Sequence, residues 1–304
     1  MNFVVIGSIN TDLVIHTDRL PKAGETLSGS GFFVNCGGKG ANQAVALAKL
    51  GGTVIFIGAV GNDTYGDAAI ENLKKHHINT DYIIRTKKNT GVAVITVYDG
   101  ENSIILDRGA NALVTPEVIY QNKEIIQKAD ALLLQLEIPI ETVVCAARMA
   151  HQAGVKVILN PAPITDLPEE LIQNTDILIL NETEAEFLTG ITPDSKEVYQ
   201  KCIAHLQKLG CKNIILTLGK EGSLACINDR IIYQSAYLVE AVDTTAAGDT
   251  FIGAFCTKMG LDVNYAMQYA TGAAAIAVSR NGASDSVPIA DEVDQFIKKY
   301  EESL

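Results

Sequence analysis

Short runs of consecutive apolar residues recur along the chain and predict buried β-strands. Six of them are rich in Val, Ile and Leu and are continuous rather than alternating, which suits strands covered on both faces. These runs are FVVIG (3–7), VIFIGAVG (54–61), ALLLQLE (131–137), VKVILNPAP (155–163), DILILNE (176–182) and NIILTLG (213–219). Amphipathic helical segments lie between them, and the C-terminal part of the chain, from about residue 247, is helical in pattern. We therefore expect an α/β fold with a mainly parallel central sheet and helices on both faces.

Two regions interrupt this alternation of strand and helix. Residues 12–36 carry β-like patches, and residues 91–108 contain two β-rich runs around Asp99-Gly100, which predicts a hairpin. Both regions are expected to form one small antiparallel β-sheet, which is either a separate lid or an edge extension of the central sheet. The lid interpretation divides the chain into a core of residues 1–11, 37–90 and 109–304 and a lid of residues 12–36 and 91–108.

Composition and charge narrow the class of protein. The 304 residues are 47% hydrophobic, enough for a sizeable core, and the formal net charge is -12. An acidic chain without a basic run is unsuited to nucleic acid, and no apolar run approaches the length of a membrane span. The six cysteines form no C-x-x-C pair, and the N-terminus lacks the features of a signal peptide. We therefore expect a cytoplasmic protein with reduced thiols that binds neither nucleic acid nor membrane.

Polar residues follow several predicted strands at their carboxyl ends. Open α/β sheets bind ligands at this edge, so such residues are candidates for a binding site. A single one is as often a turn residue or a helix cap, but several together favour a site. The set comprises Asn10, Asp12, Glu137, Asn160, Asn181, Glu184 and Thr217.

The glycine-rich stretch CGGKGANQA (36–44) begins a predicted helix. Glycines allow a ligand to approach the backbone N–H groups at the positive end of a helix, where Lys39 and Asn42 would face it. The stretch is not a Walker A motif, because Phe33 and Gly40 stand where that motif requires Gly and Ser or Thr. No G-x-G-x-x-G follows the first strand, which disfavours a nicotinamide-dependent dehydrogenase. A glycine-rich turn with a solvated lysine is the alternative.

In the stretch DTTAAGDTF (243–251), two aspartates flank a run of small residues before a predicted helix. The N–H groups of this run could form an anion hole with Asp249 at its mouth, although a carboxylate at a helix start is most often a cap. An anion hole beside a base is what phosphoryl transfer to a hydroxyl requires. Backbone dipoles offset the charge on the moving group, and the aspartate accepts the hydroxyl proton late in the reaction.

Together these motifs resemble those of the ribokinase-like carbohydrate kinase family. GGKGANQA is similar to the N-terminal signature and DTTAAGDTFIGA to the C-terminal one, with NPAP, NETEAE and TLGKEG between them in the family's order. The resemblance covers essentially the whole chain. It implies ATP-dependent phosphorylation of ribose at the 5-hydroxyl, with Mg²⁺ and an activating monovalent cation, K⁺. The alternatives are the same chemistry on another sugar or nucleoside, such as deoxyribose, fructose or pseudouridine, and a non-catalytic sugar sensor.

The resemblance also implies a role for each matching residue. Asp249 matches the catalytic base, and Ala246, Ala247 and Gly248 match the anion hole, where many relatives have glycine instead of Ala246. The sugar-binding positions, besides Asp249, are Asn10, Asp12, Gly38, Lys39, Asn42 and Glu137. The magnesium and nucleotide positions are Asn181, Glu184, Thr217, Gly219, Gly222, Gly248 and Thr271. The positions of the monovalent cation site are Asp243, Thr245, Ala277, Arg280, Gly282 and Ser286.

Two further expectations come with the resemblance. The regions 12–36 and 91–108 match the family's lid, and such lids pair between subunits, which implies a homodimer. Arg108 stands in the predicted lid strand just before GAN (109–111), near the expected position of the sugar. It either faces solvent or favours a phosphorylated or more acidic substrate.

Overall fold

A nine-stranded sheet forms the centre of the computed structural model, which describes residues 1–99 and 101–302. Its strands pair in parallel except at β11–β12 and β12–β13, which are antiparallel. Across the sheet the order is β13 (Arg230–Ser235), β12 (Gly222–Ile227), β11 (Asn213–Thr217), β10 (Ile177–Asn181), β9 (Lys156–Leu159), β8 (Ala131–Leu134), β1 (Asn2–Ile6), β4 (Thr53–Gly61) and β5 (Asn79–Thr86).

All six predicted apolar runs contain strands of this sheet. The four residues of β8, for example, are all fully buried, because helices cover both sides of the sheet at this point. The edge strands β5 and β13, and β12 beside β13, were not predicted. In β5 and β13 partly exposed residues interrupt the apolar pattern, so neither strand forms a continuous run.

Helices pack on both faces of the nine-stranded sheet, as predicted, and enclose two hydrophobic cores. Within residues 1–99 and 101–302, none of the helices has the length and apolarity needed to cross a membrane. One face carries α3 (Pro116–Gln121), α4 (Lys123–Gln127), α5 (Ile140–Gln152), α6 (Glu169–Gln173), α7 (Glu182–Thr189) and α8 (Lys196–Lys208). The other carries α1 (Lys39–Lys49), α2 (Thr64–Lys75), α9 (Ala247–Lys258), α10 (Val263–Val278) and α11 (Ala290–Glu301).

A second sheet of four strands, called the small sheet below, stands apart from the large one. Its order is β3 (Ser30–Gly37), β2 (Asn10–His16), β6 (Gly91–Tyr98) and β7 (Glu101–Asp107). This arrangement confirms the prediction of a separate small sheet. The alternative, an edge extension of the large sheet, is wrong. The predicted hairpin is present as β6 and β7, although Gly100 of its turn lies outside the described residues.

The pairings within the small sheet follow from where its strands leave the core. The pairs β2–β3 and β6–β7 are antiparallel, as predicted, whereas the middle pair β2–β6 is parallel. β2 follows β1 after three residues, and β6 follows β5 after four. Because β1 and β5 are parallel strands of the large sheet, the segments that follow them leave its carboxyl edge in the same direction. β2 and β6 therefore run parallel.

One helix contact brings two distant parts of the chain together. Helix α9 packs against α1 at Gly253, where a Cβ atom would lie 2.5 Å from the Cβ of Ala46 and 2.9 Å from the backbone N of Leu47. Only glycine leaves room for this close approach. The contact sets the first turn of α9 beside the first turns of α1, which carry the glycine-rich motif.

Candidate active site

Most of the polar residues predicted at strand ends converge on the carboxyl edge of the large sheet. A cavity of about 220 Å³ opens there between the ends of β9, β10 and β11 and the first turns of α1 and α9. Its lining includes the strand-end candidates Asn160, Asn181, Glu184 and Thr217, together with Lys39 and Asp249 from the two helix starts. The fold therefore collects the candidate residues in the way the strand-end pattern predicts.

Glu137 is the centre of a buried hydrogen-bond network. Its Oε2 atom accepts hydrogen bonds from the hydroxyl of Ser8, from Asn10 Nδ2 at 3.3 Å and from the backbone N of Lys39 at 3.1 Å. The Ser8 hydroxyl in turn accepts a hydrogen bond from the backbone N of Gly40 at 3.2 Å. The network joins the end of β1 and the start of α1 to the segment after β8. Sequence reasoning missed Ser8, although it lies between the first predicted strand and the candidate residue Asn10.

Asn111 holds the sugar-site candidate Asn10 in place. Its Nδ2 atom donates to Asn10 Oδ1 at 2.7 Å and to the backbone O of Ile9 at 3.0 Å, and its Oδ1 atom accepts from Ile9 N at 2.9 Å. Asn111 lies in a short 3₁₀ helix, Gly109–Leu113, directly after the small sheet. The only sequence signal for it was its place in GAN, beside Arg108.

Asp12 extends the polar set into the small sheet. Its carboxylate lies against Gly37 of β3, where any larger residue would collide with it. Burial, together with the nearby carboxylates Glu137 and Asp249, raises the pKa of Asp12 to about 7. A buried carboxyl group with this environment is a strong acceptor for ligand hydroxyls once it is ionised.

Asp249 lies in the first turn of α9 and receives two hydrogen bonds from α1. Asn42 Nδ2 donates to its Oδ2 atom at 3.2 Å, and Gln43 Nε2 donates to its Oδ1 atom at 2.9 Å. The Oδ1 atom of Asn42 is buried and has no hydrogen-bond partner within the described residues. A buried amide oxygen without a partner suits the hydroxyl of a bound ligand. Gln43 was not among the predicted site residues, although it follows Asn42 in the same motif.

The expected anion hole lines the same cavity as Asp249. Helix α9 begins at Ala247, whose backbone N donates to Thr244 O at 3.3 Å. The N–H groups of Gly248 and Asp249 have no partner in the described part of the chain. Ala246 has φ 59°, a left-handed conformation that costs an alanine about 1 kcal/mol relative to glycine. The loop therefore has the shape that glycine would adopt more readily, with its free N–H groups at a helix start.

Asn181 and Glu184 form a capping box at the start of α7. Asn181 Oδ1 accepts from Glu184 N at 2.8 Å, and Glu184 Oε2 accepts from Asn181 N at 3.0 Å. Glu184 also lines the cavity, and burial raises the pKa of its carboxyl group. Mg²⁺ commonly keeps several waters and takes one or two carboxylates, so the Glu184 carboxylate in this cavity fits a partly hydrated Mg²⁺.

The predicted nucleotide positions lie in two groups. Thr217, at the end of β11, lines the cavity, as do Asn181, Glu184 and Gly248. The other three, Gly219, Gly222 and Thr271, are outside the lining of this cavity. Gly219 and Gly222 have positive φ values of 47° and 107° in the turn before β12, and Thr271 on α10 lies 3.3 Å from Ser223 of β12, hydroxyl to hydroxyl.

Asp243 ties together the two segments of the expected monovalent cation site. Its Oδ1 atom accepts from Thr245 N at 2.8 Å and its Oδ2 atom from Gly282 N at 3.0 Å. Burial alone would raise the pKa of Asp243, but these hydrogen bonds hold it below its usual value. An ionised carboxylate is an oxygen donor that suits an alkali cation.

The remaining cation-site positions lie in the second of these segments. Arg280 N donates to Ala277 O at 3.1 Å, and the Ser286 hydroxyl donates to Ala283 O at 2.8 Å. The guanidinium of Arg280 pairs with Glu292, so only the backbone of Arg280 is free to face a cation. Within the described residues, no cluster of three or more His, Cys, Asp or Glu side chains could hold a metal ion.

Arg108 lies at a second cavity, of about 510 Å³, rather than at the first. This cavity is also lined by Leu136 and Ile138, the two residues that flank Glu137. The side chain of Arg108 is exposed, and no hydrogen bond or ion pair joins it to another described residue. Of the two expectations for this residue, exposure to solvent describes its position in the structure.

Comparisons with known proteins give the family. The sequence model described as pfkB family carbohydrate kinase matches residues 2–290. The ribokinase of Staphylococcus aureus (strain COL) is 39% identical over 301 residues, which cover 96% of this chain and 98% of that protein. The deoxyribokinase of Salmonella typhi is also 39% identical, over 307 residues, 99% of this chain and 100% of its own. The chain therefore belongs to the pfkB family of carbohydrate kinases.

A solved structure gives the same result for the fold. Arabidopsis thaliana ribokinase, in a structure complexed with ribose and ATP, is similar to this chain with a TM-score of 0.91 and 38% identity. The match covers 97% of this chain and 98% of that one. The ribokinase fold inferred from the sequence motifs is thus confirmed, with its large sheet, its helical layers and its small sheet.

The burial of Asp12 predicts a pH-dependent stability. The unfolded chain releases this proton near the ordinary pKa of aspartate, whereas the folded chain keeps it until about pH 7. Between these values the folded state binds more protons, so stability falls as the pH rises. We expect Asp12→Asn to raise the melting temperature, with an advantage that grows by about 2 kcal/mol between pH 5 and pH 7.

Thermal unfolding of the wild type and the variant at both pH values measures this difference. Asp18→Asn, at an exposed aspartate, is the matched control and should show no such growth. If the stability difference between Asp12→Asn and the wild type were equal at pH 5 and pH 7, the proposed effect of burial on Asp12 would be contradicted.

Proposed function

We propose that this protein transfers the γ-phosphoryl group of ATP to the 5-hydroxyl of ribose, giving ribose 5-phosphate. The observation that carries the proposal is the position of Asp249. Its carboxylate shares one cavity with the free N–H groups at the start of α9, so a base and an anion site lie side by side. Full-length similarity to proteins named ribokinase supports the choice of reaction and acceptor.

The sugar would bind among the buried polar groups around Glu137 and Asp249. Asp12 and Glu137 offer carboxylate oxygens, Asn10 and Asn42 offer amides, and a pentose presents hydroxyls that match both kinds of group. The unpartnered Oδ1 atom of Asn42 supports this placement, because a sugar hydroxyl would satisfy it. Gly38 contributes by its shape: a Cβ atom there would lie 2.8 Å from the backbone N of Asn10.

The phosphoryl group would be stabilised by the start of α9 and by Lys39. Burial lowers the pKa of Lys39, but the surrounding carboxylates Asp249, Glu137 and Glu184 outweigh it and raise the value overall. Lys39 therefore stays positively charged inside the cavity. Its charge and the N–H groups of Gly248 and Asp249 are aimed at the space where negative charge develops during transfer.

Asp249 would remove the proton of the attacking hydroxyl as the new bond forms. The carboxylate is too weak a base to ionise a free alcohol, so it acts late, when the oxygen has begun to share its electrons with phosphorus. Bound Mg²⁺, near Glu184, would supply further charge neutralisation for the phosphates. The ATP itself would extend from the cavity past Thr217 toward the glycine turn before β12 and Thr271.

A second candidate acceptor is 2-deoxyribose. The Salmonella typhi deoxyribokinase matches this chain over nearly its full length, with the same 39% identity as the Staphylococcus aureus ribokinase. The two sugars differ only in the 2-hydroxyl, so the ratio of their kcat/KM values separates the two candidates. We favour ribose because the buried carboxylates and amides around Glu137 offer more hydrogen-bonding groups than a sugar lacking one hydroxyl uses.

A coupled ADP-release assay with Mg-ATP and potassium tests the function. Ribose, 2-deoxyribose, fructose, adenosine and pseudouridine are compared, and we expect saturable turnover with ribose and poor turnover with the others. Asp249→Asn should fold and bind ribose normally but lose at least about 10²-fold in kcat, because the base is gone. Near-normal turnover by this variant would remove Asp249 from the mechanism, and no turnover with any acceptor would leave the sugar sensor as the better hypothesis.

We also propose that a monovalent cation binds behind the anion hole, at Asp243 and the backbone of residues 245 and 277–286. It would order the loop that leads to Ala246 without touching the substrate. Replacing K⁺ by Na⁺ or Li⁺ should lower kcat, and Asp243→Asn should abolish the difference between the salts. Equal rates in all three salts for the wild type would argue against a cation at this site.

The small sheet is proposed to act as a lid over the sugar and as the contact surface of a homodimer. On its outer face Leu13 pairs in register with both Val34 and Val94, and Val94 pairs with Ile105. Val34, Val94 and Ile105 are 47%, 43% and 75% exposed, which makes a continuous apolar surface. Surfaces of this kind commonly mark protein contacts, and the same sheet of a second copy would cover it.

Sedimentation velocity checks the dimer. The wild type should sediment as a dimer, and Ile105→Asp should sediment as a monomer because a charge cannot be buried in this face. Leu238→Asp is the matched control, since Leu238 is 85% exposed but lies outside the small sheet. A monomeric wild type, or a dimer unaffected by Ile105→Asp, would refute the proposed contact.

A cytoplasmic location stays a prediction; it rests on the six cysteines, all of which are unpaired.

A further inference from the structure

Gln43 is a fully buried residue whose side chain contacts the proposed catalytic base. Its Nε2 atom donates to Asp249 Oδ1 at 2.9 Å and to Asn160 Oδ1 at 3.2 Å. Its Oε1 atom accepts from Gln135 Nε2 at 2.6 Å. The amide therefore uses both of its donor hydrogens and its acceptor in one chain of side chains that ends at Asp249.

We infer that Gln43 is a positioning residue that fixes the orientation of the Asp249 carboxylate for proton transfer. The inference deepens the proposed function and rests on it. Gln43 acts through Asp249 and does not contact the substrate, since it is wholly enclosed by protein. Nothing in the sequence distinguished it from the other uncharged residues of the glycine-rich motif.

The geometry assigns different roles to the two oxygens of Asp249. Oδ1 is tied to the interior by Gln43, which has no exposed surface. Oδ2 is held only by Asn42, at the longer distance of 3.2 Å, and Asn42 belongs to the proposed sugar site. Oδ2 is therefore the oxygen that faces the sugar and accepts its proton, while Oδ1 serves as the anchor.

Gln135 and Asn160 make the orientation of Gln43 unambiguous. Gln135 presents a donor to Gln43 Oε1, and Asn160 presents an acceptor to Nε2, so turning the amide over would break both contacts. Asn160 is itself fixed, because its Nδ2 atom donates to the backbone O of Ile179 at 3.0 Å. These hydrogen-bonded side chains therefore anchor the Asp249 carboxylate to the ends of β8, β9 and β10. The large sheet is a more rigid support than a loop.

A merely structural role for Gln43 makes different predictions from a positioning role. Loss of a buried polar contact destabilises a protein wherever it occurs. Misplacement of a base by about 1 Å can cost about 10²-fold in rate even when substrate still binds. The two roles are separated by whether the loss falls on kcat and whether it depends on Asp249.

The experiment compares Gln43→Met, which keeps the length of the side chain but removes both donors, with Thr142→Val. Thr142 is fully buried and donates one hydrogen bond to Val114 O, at 2.7 Å, on the other face of the large sheet. We expect Gln43→Met to lose about 10- to 100-fold in kcat with little change in the KM for ribose, and Thr142→Val to keep both. Similar kcat values for the two variants would overturn the inference.

A double-mutant cycle with Asp249→Asn gives the second test. If Gln43 acts through Asp249, adding Gln43→Met to Asp249→Asn should lower kcat by less than about 2-fold further, because the oriented group is already lost. An additional loss as large as in the wild-type background would show that Gln43 acts elsewhere. The charged groups that act on Asp249, namely Asp12, Lys39 and Glu184, are unchanged in every variant.

A crystal structure of Gln43→Met separates failure of this inference from failure of the proposed function. The Asp249 carboxylate should turn from its wild-type orientation, and an unchanged carboxylate would refute the positioning role whatever sugar the enzyme uses. If the wild type phosphorylates none of the sugars tested, the proposed function fails while this structural comparison still decides the role of Gln43. Should Gln43→Met not fold, Gln135→Met removes only the group that orients Gln43, and a smaller loss of kcat is expected.

Discussion

The close packing of α1 against α9 at Gly253 is the contact on which the site depends. It allows two helices that are about 200 residues apart in sequence to meet with their first turns side by side. One first turn carries Asn42 and Gln43, and the other carries Asp249 and the free N–H groups beside it. Neither helix holds a complete site. The groups proposed to bind the sugar and those proposed to bind the phosphate lie in one cavity region because glycine at position 253 lets the helices pack closely.

The balance of charge within the cavity follows from the same convergence. Several carboxylates approach each other near the carboxyl edge of the sheet, and Lys39 is the cation among them. Burial, together with the repulsion between these carboxylates, raises the pKa of Asp12, and the attraction of the carboxylates keeps Lys39 charged despite burial. The arrangement is costly for an isolated folded chain, and it is suited to a ligand that brings hydroxyl donors to the carboxylates and phosphate oxygens to the lysine. Strain of this kind is often concentrated where a protein does chemistry.

The sequence was sufficient for the large-scale fold and for the charged members of the site. Continuous apolar runs predicted the central strands, because a strand buried on both faces has apolar residues at successive positions. The edge strands β5 and β13 were missed, because a partly exposed strand has no such continuous run. Charged and glycine-rich residues at strand ends predicted Glu137, Lys39 and Asp249. Ser8, Gln43 and Asn111 were not predicted, since an uncharged polar side chain reveals its partners only after distant segments have come together. The parallel pairing of β2 with β6 has the same origin, because it joins strands that are not neighbours in sequence.

The short connection between β1 and β2 places Asn10 and Asp12 at the root of the small sheet, one step from the core. The seven residues of β2 span about 20 Å, and the strand extends away from the proposed sugar site at its first residues. A rotation of a few degrees at the root leaves hydrogen bonds there almost unstretched, yet it displaces the far end of the sheet by more than an ångström. If a bound sugar rotates the strand at its root, the displacement grows with distance along β2, so a protein surface that rests on the far end would move the most.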